Sequence, residues 1–221
     1  MKKMKFWAIA MGIAVVMSCS TKAGTGTLIG AGGGAVLGAV IGKLAGNTGV
    51  GAAIGTAVGA GAGALIGNHM DKVAAKAKQI EGAQVETVQD DNGLTAVKLT
   101  FGSGILFNTN SAELSSASKS SLYKLANLMK ENGDCYVDLR GYTDRSGGDR
   151  INIPLSQRRA DAVKDYLTLN GVPESQLKNV EGRGSQDEIE DLERSEKNRR
   201  VEVYLYASQA MIDAANNGTL D

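Results

Sequence analysis

The chain has 221 residues, with Lys+Arg and Asp+Glu balanced at 24 each. That length holds one ordinary domain plus something smaller, and the zero balance offers no global basic charge to draw nucleic acid as a partner. Glycine is the anomaly: of 29 residues, 16 lie between Gly24 and Gly67, so composition divides the chain sharply.

Lys2, Lys3 and Lys5 form a basic start to the apolar run Phe6 to Met17. The run has the length of a signal-peptide core and is too short to span a bilayer. No A-x-A site closes it. It ends instead at Val16-Met17-Ser18-Cys19, which resembles a bacterial lipobox. The resemblance implies that residues 1–18 are a lipoprotein signal peptide, cut before Cys19. The Cys19 thiol then carries diacylglycerol and the new amine a further acyl chain such as palmitate. Burying an acyl chain contributes about 0.8 kcal/mol per CH₂, and one chain alone holds only marginally, so two or three make a durable anchor. Residues 19–26 form the lipidated tether. Ser20 after the cysteine, rather than Asp, implies by a rule known for some bacteria an outer-membrane protein facing the periplasm. Removing three lysines leaves the mature chain with 21 basic residues (24 − 3) against 24 acidic.

In the tract that follows, Gly30, Gly34, Gly38, Gly42 and Gly46 recur every fourth residue, and the pattern resumes at Gly51, Gly55, Gly59, Gly63 and Gly67. Period four on a helix lays glycines in a stripe that lets a second backbone approach closely. Each glycine weakens an isolated helix by up to about 1 kcal/mol relative to alanine, so packing must recover the geometry. The expectation is two helices, about 27–45 and 50–67, forming a hairpin over 27–68 that resembles the glycine-zipper segments of envelope lipoproteins. Insertion into the bilayer with homo-oligomerisation and simple hairpin packing beneath the anchor both remain open, since Ala and Gly are weakly lipophilic. Residues 69–92, including the polar stretch Asp71 to Gln84, read as a linker. The only histidine, His69, reads as a residue at the end of the second helix.

Past residue 93 the hydrophobic pattern becomes that of a mixed domain, 93–207, followed by a tail, 208–221. Leu94 to Phe101 reads as a strand, and a helix begins near Ser115 or Ser116 with Leu122, Leu125 and Met129 inward. Cys135 to Gly141 is a strand with Cys135, Val137 and Leu139 on its apolar face, which makes Cys135 a small buried hydrophobe rather than a nucleophile or ligand. Ile153 to Asn170 is a second helix, stopped by Gly171-Val172-Pro173. Lys178 to Gly182 and Arg199 to Ala207 complete the strands. Alternation of strands and helices implies an α/β sandwich, a mixed sheet with helices on one face.

Gly141-Tyr142-Thr143-Asp144, Asn152 to Ala160 (NIPLSQRRA) and Asn198-Arg199-Arg200-Val201 resemble, in order and spacing, the three motifs of the OmpA-like peptidoglycan-binding domain. The resemblance covers about 94–207 and implies non-covalent binding of peptidoglycan through the diaminopimelate of its stem peptide. That group exposes an ammonium and a carboxylate on one carbon. By the family register, Asp144 pairs with the ammonium. Arg159 takes the carboxylate, where a planar guanidinium can donate two parallel bonds. Thr143, Asn152, Leu155 and Ser156 are implied as the supporting shell, with Arg200 as a weaker member. Two departures stand out: Tyr142 replaces the family's histidine, and Gly182-Arg183-Gly184-Ser185-Gln186 replaces a G-x-G-E run.

No Ser/His/Asp or Cys/His set exists, no zinc spacing appears, and the glycine pairs lack a phosphate-loop lysine. An enzyme, a cofactor and a metal are therefore not expected. The sequence describes a lipid-anchored envelope protein that links the outer membrane to the cell wall. Its rival is a membrane-inserting glycine-zipper oligomer or pore, which the wall-binding domain merely localises.

Overall fold

A computed structural model describes residues 58–90, 93–107 and 111–220. The signal peptide, Cys19, the tether, the first glycine helix and the start of the second, up to residue 57, lie outside the described residues.

Chain order is α1 (Ala60–Ala77), β1 (Ala83–Gln89), β2 (Thr95–Gly102), the single-turn α2 (Ser103–Leu106), α3 (Ser116–Glu131), β3 (Cys135–Gly141), α4 (Asp149–Leu169), β4 (Leu177–Gly182), β5 (Arg200–Ala207) and α5 (Gln209–Asn216). The five strands form one sheet in the order β1-β2-β5-β3-β4. All neighbours are antiparallel except β3 and β4, which run parallel across the α4 crossover.

Register explains the layering. Val97 of β2, Leu205 of β5 and Val137 of β3 lie abreast, as do Leu99, Val203 and Leu139. These side chains share one face, with period two, and join the helices in a single apolar core. The residues between them, Lys98, Tyr204 and Asp138, occupy the opposite face. There the long polar side chains bury one another: Glu202 accepts from Arg200 Nε at 2.8 Å and from the Tyr204 hydroxyl at 2.7 Å, and Asp138 accepts from Asn179 and Tyr206. Buried charges persist only when paired in this way.

Two expectations about boundaries are corrected. The glycine segment does not stop at residue 68, and residues 69–92 are not a linker. Ala62, Ile66, Met70, Val73 and Ala77 make a continuous buried stripe along α1, which packs on α5, β2, β1 and α3. Asp71, Lys72, Ala75 and Lys76 merely form its solvent face. The glycines serve no close approach here: a Cβ at Gly61 or Gly63 would meet open space. Residues 83–89 then form edge strand β1, held by its backbone ladder to β2, with Val85 opposite Leu99. Nor are residues 208–221 a mere tail. Ser208 caps α5 by accepting from the Met211 amide at 3.2 Å, and Met211, Ile212 and Ala215 are buried against the core. The Gly59 amide donates to Asn216 Oδ1 at 3.2 Å, tying the start of α1 to the end of α5.

Of the helices expected, α3 begins where anticipated, with Ser115 Oγ accepting from the Ser118 amide at 3.1 Å. Helix α4 begins four residues before Ile153. Gly148, at φ 64°, turns the chain into it, and Pro154 lies inside the helix rather than at its first turn. Among the described residues no helix is long and apolar enough to cross a membrane.

Candidate ligand-binding site

The motif residues meet where the ends of β3 and β4 run into the first half of α4. This meeting depends on glycine. A Cβ on Gly141 would overlap the carbonyl of Ser156, and one on Gly182 would overlap the backbone of Gln157, so both strands touch the helix backbone directly. Hydrogen bonds fasten the contact. The Gly182 amide donates to Gln157 Oε1 at 2.7 Å and the Gly184 amide to Ser156 Oγ at 2.9 Å. The Thr143 amide donates to the Gly184 carbonyl, and the Arg183 amide to that of Gly141, at 2.8 and 2.9 Å. The run Gly182-Arg183-Gly184, which keeps the two glycines of the family's G-x-G-E pattern ahead of the departure at Ser185, is thus a clasp between the loops after β3 and β4.

Asp144 is held in this frame. The Asn152 side-chain amide donates to the Asp144 carbonyl at 2.8 Å, fixing the loop backbone. Asp144 Oδ1 accepts from the Ser146 hydroxyl at 2.6 Å and its amide at 3.3 Å, and Oδ2 accepts from Arg199 Nη1 at 2.6 Å. Burial alone would raise the Asp144 carboxyl. The bonds from Ser146 and Arg199 outweigh it and hold the group below the usual aspartate range.

Arg159 is buried one turn past Ser156, with its guanidinium over the Phe107 ring at 5.3 Å. Nε donates to the Ser111 carbonyl at 3.1 Å and Nη1 to Ser103 Oγ at 3.4 Å. Nη2 donates to no group among the described residues. Burial, then the like charge of Arg199, lowers the Arg159 pKa, while the charge of Asp144 raises it. Arg199 is therefore bonded to Asp144, while Arg159, which binds Ser111 and Ser103, lies within electrostatic reach of both.

The other motif residues divide by what they touch. Thr143, Asn152 and Ser156 are buried and hold the loops, and Leu155 is half-buried on α4. Arg200 faces away: it pairs with Glu202, stacks on the Tyr142 ring at 3.8 Å and donates to the Asp187 carbonyl at 2.9 Å. Tyr142 is fully buried beneath Arg200, so the histidine-to-tyrosine departure falls on the polar face of the sheet. Arg199, which the motif reading passed over, is the residue that reaches Asp144. A strand turns neighbouring side chains to opposite faces, which separates Arg199 from Arg200. Arg145 adds no charge to the site, because Glu188 and Asp191 of the loop before β5 hold it at 2.9 and 2.6 Å.

Chemically, the arrangement suits a ligand with both signs of charge. A carboxylate has about four acceptor positions, and Asp144 uses three, leaving one for an ammonium. The guanidinium charge of Arg159 and Arg199 beside one carboxylate favours an anionic group on the ligand.

The model of the OmpA family matches residues 106–211, and that of the YMGG-like Gly-zipper matches residues 1–71. The probable lipoprotein YiaD of Escherichia coli (strain K12) is 34% identical over 216 residues, covering 90% of this chain and 94% of its own. The peptidoglycan-binding protein ArfA of Mycobacterium tuberculosis is 38% identical over 114 residues, half of this chain and 35% of its own. A MotB-like protein from Desulfovibrio vulgaris superposes with a TM-score of 0.53 at 25% identity, over 66% of this chain and 95% of that one. The cell wall anchor of the T6SS from Pseudomonas aeruginosa shares the fold, with a TM-score of 0.51 at 22% identity, over 63% and 97% of the two chains.

Proposed function

The chain belongs to the OmpA family, with a YMGG-like Gly-zipper ahead of its C-terminal domain, and from that premise we propose that it binds peptidoglycan without covalent chemistry and links a membrane to the cell wall. The observation that carries this reading is the Asp144 carboxylate, bonded to Arg199 at 2.6 Å and within electrostatic reach of the buried Arg159, in a clasped loop. The ligand is the diaminopimelate centre of a stem peptide. Its ammonium takes the remaining acceptor position of Asp144, and its carboxylate takes Nη2 of Arg159 with help from Arg199. Thr143, Asn152, Leu155 and Ser156 keep the two halves in register, while Arg200 stiffens the sheet behind. Binding asks no bond to break, so the protein acts as an anchor and not as an enzyme.

At the other end, acylated Cys19 fixes the chain to the outer membrane, facing the periplasm. The lipobox-like run before it supports this, as does the likeness to a probable lipoprotein over nearly the whole chain.

Co-sedimentation with isolated sacculi tests the wall-binding half. Losing one partner of a charge-assisted bond costs about 1.5–3 kcal/mol, so Asp144→Ala or Arg159→Ala should weaken binding roughly ten- to a hundredfold without changing the fold. Sacculi whose stem peptides carry lysine lack the second carboxylate and should bind the native chain about as poorly. Equal sedimentation of native and variant chains would remove these residues from the site. Equal binding to both kinds of sacculi would remove diaminopimelate as the ligand.

A further inference from the structure

At the opposite end of β3 from the clasped loops, the start of the strand meets the middle of α1, and three donors converge with a fourth beside them. An imidazole nitrogen of His69, a carboxylate oxygen of Asp134 and Sγ of Cys135 lie within 4.8 Å of one another. Among the described residues this is the one such group of His, Cys, Asp and Glu side chains. Met70 adds a fourth donor, with Sδ 3.9 Å from Cys135 Sγ.

We infer that His69, Met70 and Cys135 form a binding site for a monovalent copper ion, with Asp134 as its anionic neighbour. Thiolate and thioether sulfur are soft ligands that select Cu(I), and imidazole accompanies them well. The spacing fits one metal. Two metal–sulfur bonds of about 2.3 Å, the zinc–thiolate length, opened at about 120° would put the sulfurs about 4 Å apart. The two sulfurs are fully buried, whereas His69 and Asp134 are partly exposed at side-chain fractions of 17% and 35%. An ion thus meets nitrogen and oxygen at the rim and sulfur within. Asp134 lies 3.9 Å from His69 Nε2 and places negative charge beside the thiol. On binding, a copper–sulfur bond replaces the S–H bond, the proton passes to water and copper remains Cu(I).

The test uses the full chain carrying Cys19→Ser, in which Cys135 is the remaining thiol. The chain is titrated without oxygen into the coloured Cu(I)–bicinchoninate complex under ascorbate. One equivalent of Cu(I) should be withdrawn. Cys135→Ser should withdraw none. Met70→Leu and His69→Gln should weaken withdrawal by about tenfold or more, since even the outer partners of metal ligands are worth that much. Circular dichroism and sacculus binding should stay native in all three, because none of these residues touches the Asp144 loop. Failure of the parent chain to take Cu(I), equal uptake by the Cys135→Ser chain, or capture of Zn²⁺ but not Cu(I) would each overturn the assignment.

Discussion

At the scale of single residues, the site is governed by how one carboxylate is shared. Asp144 is held below the ordinary aspartate value, 3.8, because the bonds from Ser146 and Arg199 outweigh its burial. A carboxyl depressed in the folded state contributes stability above its unfolded value, and that contribution is lost as pH falls through the folded value. Sacculus binding should therefore stay level from neutral pH through the ordinary aspartate value of 3.8 and fall only below it, where Asp144 takes a proton. Sedimentation across this range checks it, with Asp144→Asn as the control that has already lost the charge. A midpoint above pH 5 would mean another group governs binding. Arg199 makes the complementary case. Removing it frees Oδ2 of Asp144 but takes away one of the two guanidiniums and leaves Arg159 in place, so Arg199→Gln should weaken binding by less than Arg159→Ala. Isothermal titration with a diaminopimelate peptide would rank the two. The motif spelled out Asp144 and Arg159 in the sequence. It could not separate Arg199 from Arg200, because which neighbour faces the loop depends on where β5 begins, and a shift of one residue reverses the faces.

At the scale of elements, Gly141 and Gly182 bring the sheet onto α4. Any side chain at either position drives a strand end away from the helix backbone. Overpacking of this kind costs about 1–3 kcal/mol, so Gly141→Ala and Gly182→Ala should lower the melting temperature. They should also impair sacculus binding beyond the loss of stability, since the strand and helix they separate carry Asp144 and Arg159. Thermal melts paired with sedimentation at a temperature where the variants remain folded would separate the two effects. A variant that melts early but binds normally would show that the clasp serves stability alone. The elements with strong periodicity, α3, β3, β4 and β5, were legible from the sequence. Strand β1 was not: AQVETVQ has Val85 and Val88 three apart, which breaks strand alternation, and as an edge strand it leans on its backbone ladder to β2. Helix α5 escaped notice because eight residues with three apolar contacts give too short a pattern.

At the scale of the whole molecule, the OmpA-family domain and the glycine tract are not joined by a free linker. Helix α1 belongs to both: its first half continues the period-four glycines, and its full length lies on the domain core. Ile66, Met70 and Val73 are each essentially buried. Burying such side chains contributes about 1.5–3 kcal/mol apiece, against a typical domain stability of about 5–15 kcal/mol. A fragment starting at residue 93, the boundary that composition suggests, would lose all three and expose the outer edge of β2 as well. That fragment should aggregate or melt without a sharp transition, whereas one spanning 58–221 should unfold cooperatively by calorimetry. Equal melting of the two would make α1 an appendage. If α1 is integral, the reach between Cys19 and the domain is confined to residues 20–57, at most about 3.3–3.6 Å for each of them. The direction in which the chain leaves the domain at Val58 is then fixed by α1, which packs along the domain core.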